Sequence, residues 1–314
     1  MTTSTIGWDE YPPPAYCGGA VTVGNFDGVH RGHVALVERA KAWAQIVQGP
    51  TVAVTFNPAP ANVLFCGAAK PPISTLMDRA ALLLAAGADR VLVLRTDARL
   101  LSLSPEAFFE DVLVRQIDVK AMVEGANFRF GRSRLGDTGT LRALGAAAGI
   151  PFEEVPPVTV GGAVVSSSRV RAALMAGDVK AAAELLGRPY RLAGVVVNGA
   201  KRGRTIGFPT ANLDRIETLI PGEGVYAVRA IVDGQCWPAA ANIGPNPTFD
   251  EEARKIEIHL IGFNGDIYGK TLSVEFVMRL RETRPFAGVA ALIEQLHTDV
   301  AQAKRLLSGG IHRP

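Results

Sequence analysis

Two histidines three residues apart stand in a glycine-rich segment, between an apolar run at 20–23 and a helical pattern that begins at His33. On a first helical turn, the side chains of His30 and His33 face the same side. Helix N-termini attract anions, and two imidazoles beside a bound phosphate can stabilise charge that develops on phosphorus during transfer. Three glycines allow the backbone to approach such a phosphate: Gly24, Gly28 and Gly32. We interpret the segment as a nucleotide site; a turn with two surface histidines is the alternative.

A second glycine-rich loop follows an apolar run at 194–197 and is basic. Backbone N–H groups of such a loop can surround phosphates while Lys and Arg neutralise their charge. Glycines and basic residues share the loop: Gly199, Lys201, Arg202, Gly203, Arg204 and Gly207. Thr210 and Asn212 then lie two apart on an extended segment, so their oxygens point the same way and suit Mg²⁺ shared with nucleotide phosphates. A basic β-hairpin is the alternative interpretation.

Three serines at 166–168 precede a short helical pattern that contains Arg171. Serines before a helix cap it and can hold oxyanions, and an arginine one turn later can bind a phosphate with two N–H groups. An ordinary cap followed by a solvated arginine fits the same pattern equally well.

Apolar and polar residues alternate in the strand-like run 255–261. Ile256 and Ile258 face one side, whereas Glu257 and His259 face the other. The carboxylate is therefore either an exposed surface group or part of a site lined by the second face. The pattern alone slightly favours the exposed group.

The elements that must position these residues differ between the two halves of the chain. In the first half, strand patterns at 20–23, 51–56, 90–94 and 120–123 alternate with helices that begin near 33, 74, 105 and 138. This order predicts βαβ units and a parallel sheet. After residue 187, strand-like runs separated by turns predict an antiparallel β-barrel closed by a C-terminal helix at 289–307. We predict a Rossmann-like α/β domain at 1–186 and a barrel domain at 187–314.

Composition and charge limit the partners of the protein. Its 314 residues carry 33 basic and 30 acidic side chains, a formal charge of +3, which argues against nucleic-acid and membrane binding. The three cysteines, at positions 17, 66 and 236, show neither metal-ligand spacing nor a disulfide framework. The first residues lack the pattern of a secretory leader, and no apolar stretch approaches the roughly 20 residues that span a bilayer. We therefore expect a cytoplasmic protein.

Several motifs, taken in order, resemble the bacterial bifunctional riboflavin kinase/FAD synthetase family. His30-Arg31-Gly32-His33 fits the His-x-Gly-His motif of nucleotidyltransferases. Gly-Ala-Asn-Phe-Arg-Phe-Gly at 125–131 is similar to the family's flavin-side loop. The segment 166–171 is similar to its Ser-Ser-Thr-x-Ile-Arg sequence, with Ser168 in place of Thr. The loop at 194–213, which contains Gly-Phe-Pro-Thr-Ala-Asn, resembles the riboflavin kinase signature, and the resemblance extends from about Gly18 to Leu307.

This resemblance implies an enzyme that carries out two ATP-dependent steps. The barrel phosphorylates the riboflavin 5′-hydroxyl with Glu257 as general base, and the α/β domain then adenylylates FMN to FAD with His30 and His33 as catalytic residues. The implied ligands of Mg²⁺ are Thr210 and Asn212, and the implied flavin-binding residues are Asn127 and Arg281. The implied nucleotide-binding residues are Gly24, Phe26, Asp27, Gly28, Ser167, Ser168, Arg171, Gly199, Lys201, Gly203, Arg204, Thr210 and Asn212.

The chain departs from the family at one position, and two functions other than the bifunctional enzyme remain as alternatives. Many members carry a histidine after the Phe-x-Pro turn at 56–58, where this chain has Ala59, so we assign that turn no catalysis beyond backbone positioning. The first other function is an adenylyltransferase whose barrel only binds flavin, and the intact kinase residues argue against it. The second is a regulatory flavin sensor with decayed active sites, against which the two histidines argue.

Overall fold

The protein is described by a computed structural model that covers residues 2–64, 70–199, 202–246 and 251–308. Its chain forms two compact units. The first unit contains Met1–Lys70 and Ser74–Ser166, and the second contains Pro71–Ile73 and Ser167–Pro314.

The first unit alternates strands and helices, as the sequence predicts. Its strands are β1 (Thr3–Ile6), β2 (Ala20–Val23), β3 (Thr51–Asn57), β4 (Arg90–Arg95), β5 (Ala121–Gly125) and β6 (Phe152–Val155), with a small hairpin of β7 (Thr159–Val160) and β8 (Ala163–Val164). Its α-helices are α1 (Arg31–Val47), α2 (Pro60–Leu64), α3 (Leu76–Ala85), α4 (Ala98–Ser102), α5 (Pro105–Ala107) and α6 (Thr138–Ala147). A π-helical segment, Phe108–Gln116, continues α5, and 3₁₀ turns lie at Pro14–Tyr16 and Arg132–Arg134.

Six parallel strands form the sheet of the first unit, in the order β1-β4-β3-β2-β5-β6. Strands β2, β3 and β4 are wound toward one edge, whereas β5 and β6 are wound toward the other. The winding therefore reverses between β2 and β5. In open α/β sheets, ligands bind at the carboxyl ends of the strands at such a reversal. Because β2 is buried along its whole length, its sequence is a continuous run of small and β-branched residues.

The second unit begins with two short helices, α7 (Ser167–Met175) and α8 (Val179–Leu186). Its barrel strands are β9 (Tyr190–Val197), β10 (Ala211–Asp214), β11 (Gly224–Val232), β12 (Gln235–Asn246), β13 (Glu251–Leu260) and β14 (Thr271–Arg281). The single turn α9 (Arg202–Thr205) precedes β10, and α10 (Val289–Leu307) ends the unit.

Antiparallel pairing closes these six strands into a barrel in the order β10-β13-β12-β11-β14-β9. Alternation of buried and half-buried residues along β9 shows one face turned inward. The C-terminal helix α10 packs on the barrel through Ala303 and Leu307, which cluster with Ala227 and Ile261. The predicted fold class, a parallel α/β domain followed by an antiparallel barrel with a terminal helix, is confirmed.

Local differences from the predicted elements have local causes. Thr75, rather than Ser74, caps α3, because its hydroxyl accepts the N–H of Asp78 at 3.1 Å. Asp137, rather than Thr138, caps α6 by accepting the N–H of Thr140. In each case the capping side chain lies one residue away from the predicted position.

Helices α7 and α8 pack within the second unit. The N–H of Gly222 donates to the carbonyl of Leu174 at 2.8 Å, and Leu185 and Leu186 are buried. The short segment 71–73 joins the same unit, since the N–H of Leu219 donates to Pro72 O at 2.8 Å. Packing thus divides the chain before α7, whereas the boundary at Leu186 remains a prediction of where the two activities divide.

Candidate active sites

In the first unit, a turn connects the end of β2 to the start of α1. His30 is the N-cap of the helix, which begins at Arg31 rather than at His33 as predicted. Phe26 and Val29 both have positive φ, 47° and 40°, and both side chains are only 1% exposed. Burial of these side chains offsets the cost of a backbone region that such residues rarely adopt. The turn is therefore held in a defined shape by the core beneath it.

The structure brings His30 and His33 together, as their spacing predicts. Their rings are stacked, with centroids 3.6 Å apart and planes 17° from parallel. The edge of Phe26 meets His33 at a centroid distance of 5.2 Å. A Cβ at Gly32 would lie 3.2 Å from the His30 ring, so a side chain at this position would press against that ring. The two imidazoles thus lie side by side at the N-terminus of α1, where the helix dipole favours an anion.

Neighbouring elements hold the turn in place. The N–H of Gly28 donates to the Ser74 hydroxyl at 3.0 Å, and the N–H of Ser74 donates to the Asp27 carboxylate at 3.3 Å. On the other side, the N–H of Gly24 donates to Val54 O at 2.9 Å. The structure therefore places Gly24, Phe26, Asp27 and Gly28 in one ordered turn beside the histidines, and their contact with nucleotide remains a prediction.

Arg79, which the sequence motifs do not include, lies behind this turn. Its guanidinium is 6% exposed and donates through Nη1 to the Thr55 hydroxyl at 3.3 Å and to Phe56 O at 3.2 Å. Thr55 in turn donates to Asn25 O at 3.3 Å. Burial lowers the pKa of Arg79, and the nearby Asp27 carboxylate partly offsets this effect. A basic residue on the apolar face of α3, in line with Leu83, was the available signal.

Glu124 in β5 also lies outside the sequence motifs. It is 2% exposed, and its carboxylate accepts the N–H of Val23 at 2.6 Å. Burial raises the pKa of Glu124 well above its ordinary range, against the opposing effect of this hydrogen bond. The available signal was a glutamate inside an otherwise apolar parallel strand, since such strands are buried on both faces.

Asn127 lies in the turn that follows β5. The N–H of Phe128 donates to Gly125 O at 2.9 Å and closes this turn. Asn127 is exposed, and its Oδ1 lies 3.4 Å from where a Cβ on Gly125 would be. Its predicted contact with flavin remains a prediction.

Ser167, Ser168 and Arg171 lie at the start of α7 in the second unit, whereas Ser166 is the last residue of the first unit. Ser167 is the first residue of this helix, and Ser168 is exposed. Arg171 is half-buried and donates through Nη1 to Pro71 O at 2.5 Å. Packing therefore assigns these residues to a different compact unit from the two histidines. Their contact with the ATP phosphates remains a prediction.

Register in the barrel brings Asn212 and Glu257 together. Asn212 in β10 lies directly opposite Glu257 in β13, and Glu257 lies directly opposite Asn242 in β12. Directly opposed residues point to the same face with Cβ atoms about 5 Å apart. All three side chains are half-buried, whereas Ile256 and Ile258 are buried. The predicted alternation is confirmed, and Asn242 is an addition that only strand register could show.

The basic loop packs closely against Asn212 and against its own backbone at Phe208. A Cβ at Gly199 would lie 2.2 Å from Asn212 Nδ2, and one at Gly203 would lie 2.2 Å from Phe208 O, so side chains cannot be added there without movement. His259 Nδ1 donates to Pro209 O at 2.8 Å and so anchors the segment that carries Thr210. Arg204 is exposed, and Lys201 lies outside the described residues.

The hydroxyl and amide oxygens of Thr210 and Asn212 fit the ligand chemistry of Mg²⁺, which keeps several waters and shares its shell with phosphates. Within the described ranges, no three His, Cys, Asp or Glu side chains form a metal-binding group.

Arg281 has a partner in the C-terminal helix. Its Nη2 lies 2.8 Å from Asp299 Oδ2, and its Nε donates to both oxygens of that carboxylate at 3.1 Å. The side chains are 18% and 3% exposed, respectively. The guanidinium therefore fastens α10 to β14, and its predicted flavin contact remains a prediction.

Two family models match successive parts of the chain. A family model described as FAD synthetase matches residues 13–169, and one described as riboflavin kinase matches residues 186–307.

In the part of the chain that the structure describes, no helix is long and apolar enough to cross a bilayer.

Relatives match the chain over nearly its whole length. Three of them are named bifunctional riboflavin kinase/FMN adenylyltransferase. The protein of Pseudomonas fluorescens is 40% identical over 96% of both chains, that of Bacillus subtilis 38% over 92% of both, and that of Escherichia coli K12 35% over 95% of both. A solved structure from Streptococcus pneumoniae, described as a macrolide-efflux protein, is 32% identical and superposes with a TM-score of 0.88 over 97% of this chain and 99% of its own. The two family models and these full-length relatives show that the chain belongs to the bifunctional riboflavin kinase/FMN adenylyltransferase family.

Proposed function

We propose that this protein makes FMN from riboflavin and then FAD from FMN, consuming one ATP in each step. The observation that carries the proposal is that the two candidate sites lie in regions matched by different family models, His30 and His33 in the FAD synthetase match and Glu257 in the riboflavin kinase match. The proposed division of activities follows the sequence boundary, with adenylyl transfer in 1–186 and the kinase in 187–314.

In the kinase step, the riboflavin 5′-oxygen attacks the γ-phosphorus of ATP. The new oxygen–phosphorus bond forms as the bond to the β,γ-bridging oxygen breaks and ADP leaves. Glu257 accepts the proton of the hydroxyl, and its position opposite Asn212 and Asn242 supports this role. Thr210 and Asn212 would hold Mg²⁺, which supplies charge neutralisation at the phosphates. Phosphoryl transfer depends mainly on positioning and charge stabilisation, which the closely packed loop can provide.

In the adenylyl-transfer step, a phosphate oxygen of FMN attacks the α-phosphorus of ATP. A phosphorus–oxygen bond forms and pyrophosphate leaves, so no covalent enzyme intermediate is needed. His30 and His33 stabilise the charge that develops on the α-phosphate, and the N-terminus of α1 contributes its dipole. The stacked geometry of the two rings supports their action on one phosphate group.

The remaining site residues are proposed as binding residues. For the adenylyl-transfer site the nucleotide contacts are Gly24, Phe26, Asp27, Gly28, Ser167, Ser168 and Arg171. For the kinase site they are Gly199, Lys201, Gly203, Arg204, Thr210 and Asn212. Asn127 and Arg281 are proposed to contact flavin. We place the enzyme in the cytoplasm, a proposal supported by Cys17 and Cys236, which are unpaired thiols within the described ranges.

The decisive experiment is product analysis by chromatography after incubation with riboflavin, ATP and Mg²⁺. We expect FMN to appear first and FAD to follow, with chelation of the metal stopping the kinase step. FAD formed only from added FMN would indicate a single-activity adenylyltransferase. Binding of flavin without any product would indicate a sensor.

A further inference from the structure

A buried carboxyl group lies at the reversal of winding in the first unit, and the proposed reaction does not use it. Glu124 is the penultimate residue of β5 and is 2% exposed. Its Oε1 accepts a hydrogen bond from the backbone N–H of Val23, the last residue of β2, at 2.6 Å. Burial of a carboxyl group is costly unless it is well hydrogen-bonded or neutral. Its presence between these strands therefore needs an explanation.

The strand pairing shows what Glu124 replaces. The register between β2 and β5 runs only through Ala20 opposite Ala121 and Val21 opposite Met122. On its other side, β2 stays paired with β3 as far as Val23, and the N–H of Gly24 donates to Val54 O. The last two residues of β2 therefore stay paired with β3 but are no longer paired with β5. The Glu124 side chain supplies the acceptor that the backbone of β5 no longer provides to Val23.

This contact joins two turns at the candidate site. Val23 directly precedes the turn from Gly24 to His30, and Glu124 directly precedes the turn that carries Asn127. We propose that Glu124 is a positioning residue for adenylyl transfer: by accepting the Val23 N–H, it sets the spacing between the carboxyl ends of β2 and β5 and thereby places the histidine-bearing turn relative to the Asn127 turn.

The protonation state of Glu124 suits this place. Burial raises the pKa of its carboxyl group well above the ordinary range, and the Val23 hydrogen bond only partly opposes this. Burial of the carboxyl group therefore favours its neutral form. A neutral acid can hold the Val23 N–H without repelling the phosphates that are proposed to bind at the same strand ends, whereas a carboxylate would repel them.

Substitution of Glu124 tests the proposal in the full-length protein, with FAD formation from FMN and ATP as the readout. Glu124→Gln keeps a neutral side chain with an acceptor for Val23, so we expect kcat close to wild type. Glu124→Met removes the acceptor, and Glu124→Asp shortens its reach by one methylene. For both we expect kcat to fall about 10- to 100-fold, the scale of loss that a displacement of about 1 Å produces.

FMN formation by the same variants is the internal control. Its rate should stay at the wild-type value. The matched control is Glu154→Gln. Glu154 lies directly opposite Glu124 in β6, but its side chain is an exposed partner of Arg142 at 3.0 Å. This change should leave FAD formation unaltered.

Two outcomes would overturn the inference: wild-type kcat in both Glu124→Met and Glu124→Asp, or an equal loss in Glu124→Gln. If Glu124→Met fails to fold, the comparison of the Asp and Gln variants decides. The inference rests on the proposed adenylyl-transfer site, so His33→Ala is assayed in parallel. Full activity of His33→Ala would refute that site itself, whereas its loss together with wild-type kcat in both Glu124→Met and Glu124→Asp would refute only the inference about Glu124.

Discussion

Glu257 lies between two amide side chains on neighbouring strands, Asn212 on one side and Asn242 on the other. A general base typically contributes about 10²- to 10⁴-fold to a reaction rate. Glu257→Gln keeps the shape of the side chain but cannot accept the hydroxyl proton. We expect kcat for FMN formation to fall within that range with little change in riboflavin affinity, as measured by steady-state kinetics and flavin binding.

Glu275 provides the comparison for this prediction. It also lies on a barrel strand, but its carboxylate contacts the Arg191 guanidinium at 2.5 Å. Glu275→Gln should leave kinase turnover at the wild-type level. If Glu257→Gln retained turnover and Glu275→Gln lost it, the base would have to be reassigned.

The buried Glu124 predicts how the stability of the first unit depends on pH. Its folded-state pKa is raised above the ordinary value of 4.5. Above that value the unfolded chain loses the proton while the folded chain keeps it, so stability declines as pH rises, until the folded pKa is reached. The decline is at most about 1.4 kcal/mol per pH unit. Glu124→Gln removes this contribution, so its stability relative to wild type should rise with pH.

Denaturant unfolding between about pH 5 and about pH 8 measures this effect. In a Trp237→Phe background, Trp8 and Trp43 report on the first unit. A constant difference between Glu124→Gln and wild type across this range would show that Glu124 does not titrate differently in the folded and unfolded chains.

At the scale of elements, the attachment of α10 to the barrel depends on Arg281 and Asp299. Removing one partner of a buried ion pair leaves an uncompensated charge and costs about 3–5 kcal/mol. Because Arg281 is 18% exposed, we expect about 3 kcal/mol for Asp299→Leu. The double variant Arg281→Met/Asp299→Leu should recover most of that loss. Unfolding of the second unit is followed by Trp237 fluorescence.

An exposed pair supplies the control for this experiment. Lys270 and Asp233 are 46% and 63% exposed, and such pairs contribute about 0–1 kcal/mol. Lys270→Met should therefore have little effect. If Asp299→Leu were equally harmless, α10 would be held by its apolar contacts alone.

Elements with strong periodicity could be predicted from the sequence, whereas those defined by tertiary pairing could not. The buried strands β2 and β3 and the amphipathic helix α1 follow from local patterns. In contrast, the edge strand β1 is short and carries Thr and Ser, and its register opposite Val91 to Leu94 is a property of the folded sheet. The N-cap of α3 lies at Thr75, one residue after the predicted Ser74, because neighbouring hydroxyls offer nearly equivalent local hydrogen bonds.

In the candidate sites, too, local patterns predict some features, whereas others depend on tertiary pairing. The spacing of three residues predicts His30 beside His33, and the two residues are the N-cap and the third residue of α1. Asn242 could not be placed opposite Glu257, because strand register depends on the closed barrel. The apolar surroundings of Arg79 and Glu124 in the sequence indicate burial, but their hydrogen-bond partners on other elements, such as Thr55 and Val23, are set by the packing of the folded sheet.

At the scale of the whole molecule, the two activities should be separable and should complement each other in solution. His33→Ala should form FMN but little FAD, since loss of charge stabilisation costs about 10²- to 10³-fold. Thr210→Val should form FAD from supplied FMN but little FMN, because it lacks the hydroxyl oxygen. A mixture of the two variants should convert riboflavin to FAD through free FMN.

The time course of the mixture tests this prediction by chromatography. We expect a lag in FAD formation that lengthens as both variants are diluted together, because FMN must travel between molecules. Failure of the mixture, when each variant retains its own single activity, would mean that FMN formed at the kinase site does not reach another molecule.

The open sheet of the first unit and the closed barrel of the second also differ in how readily their strands could pair with another chain. Unpaired strand edges invite pairing with other chains, and a closed barrel removes them. The open sheet of the first unit ends in β1 and β6, each four residues long. Both central residues of β6 are acidic, and each is held by an arginine: Glu153 by Arg39 at 2.7 Å and Glu154 by Arg142 at 3.0 Å. Replacing these glutamates with β-branched apolar residues would turn the edge into a site for aggregation, a liability that the barrel of the same chain avoids by closure.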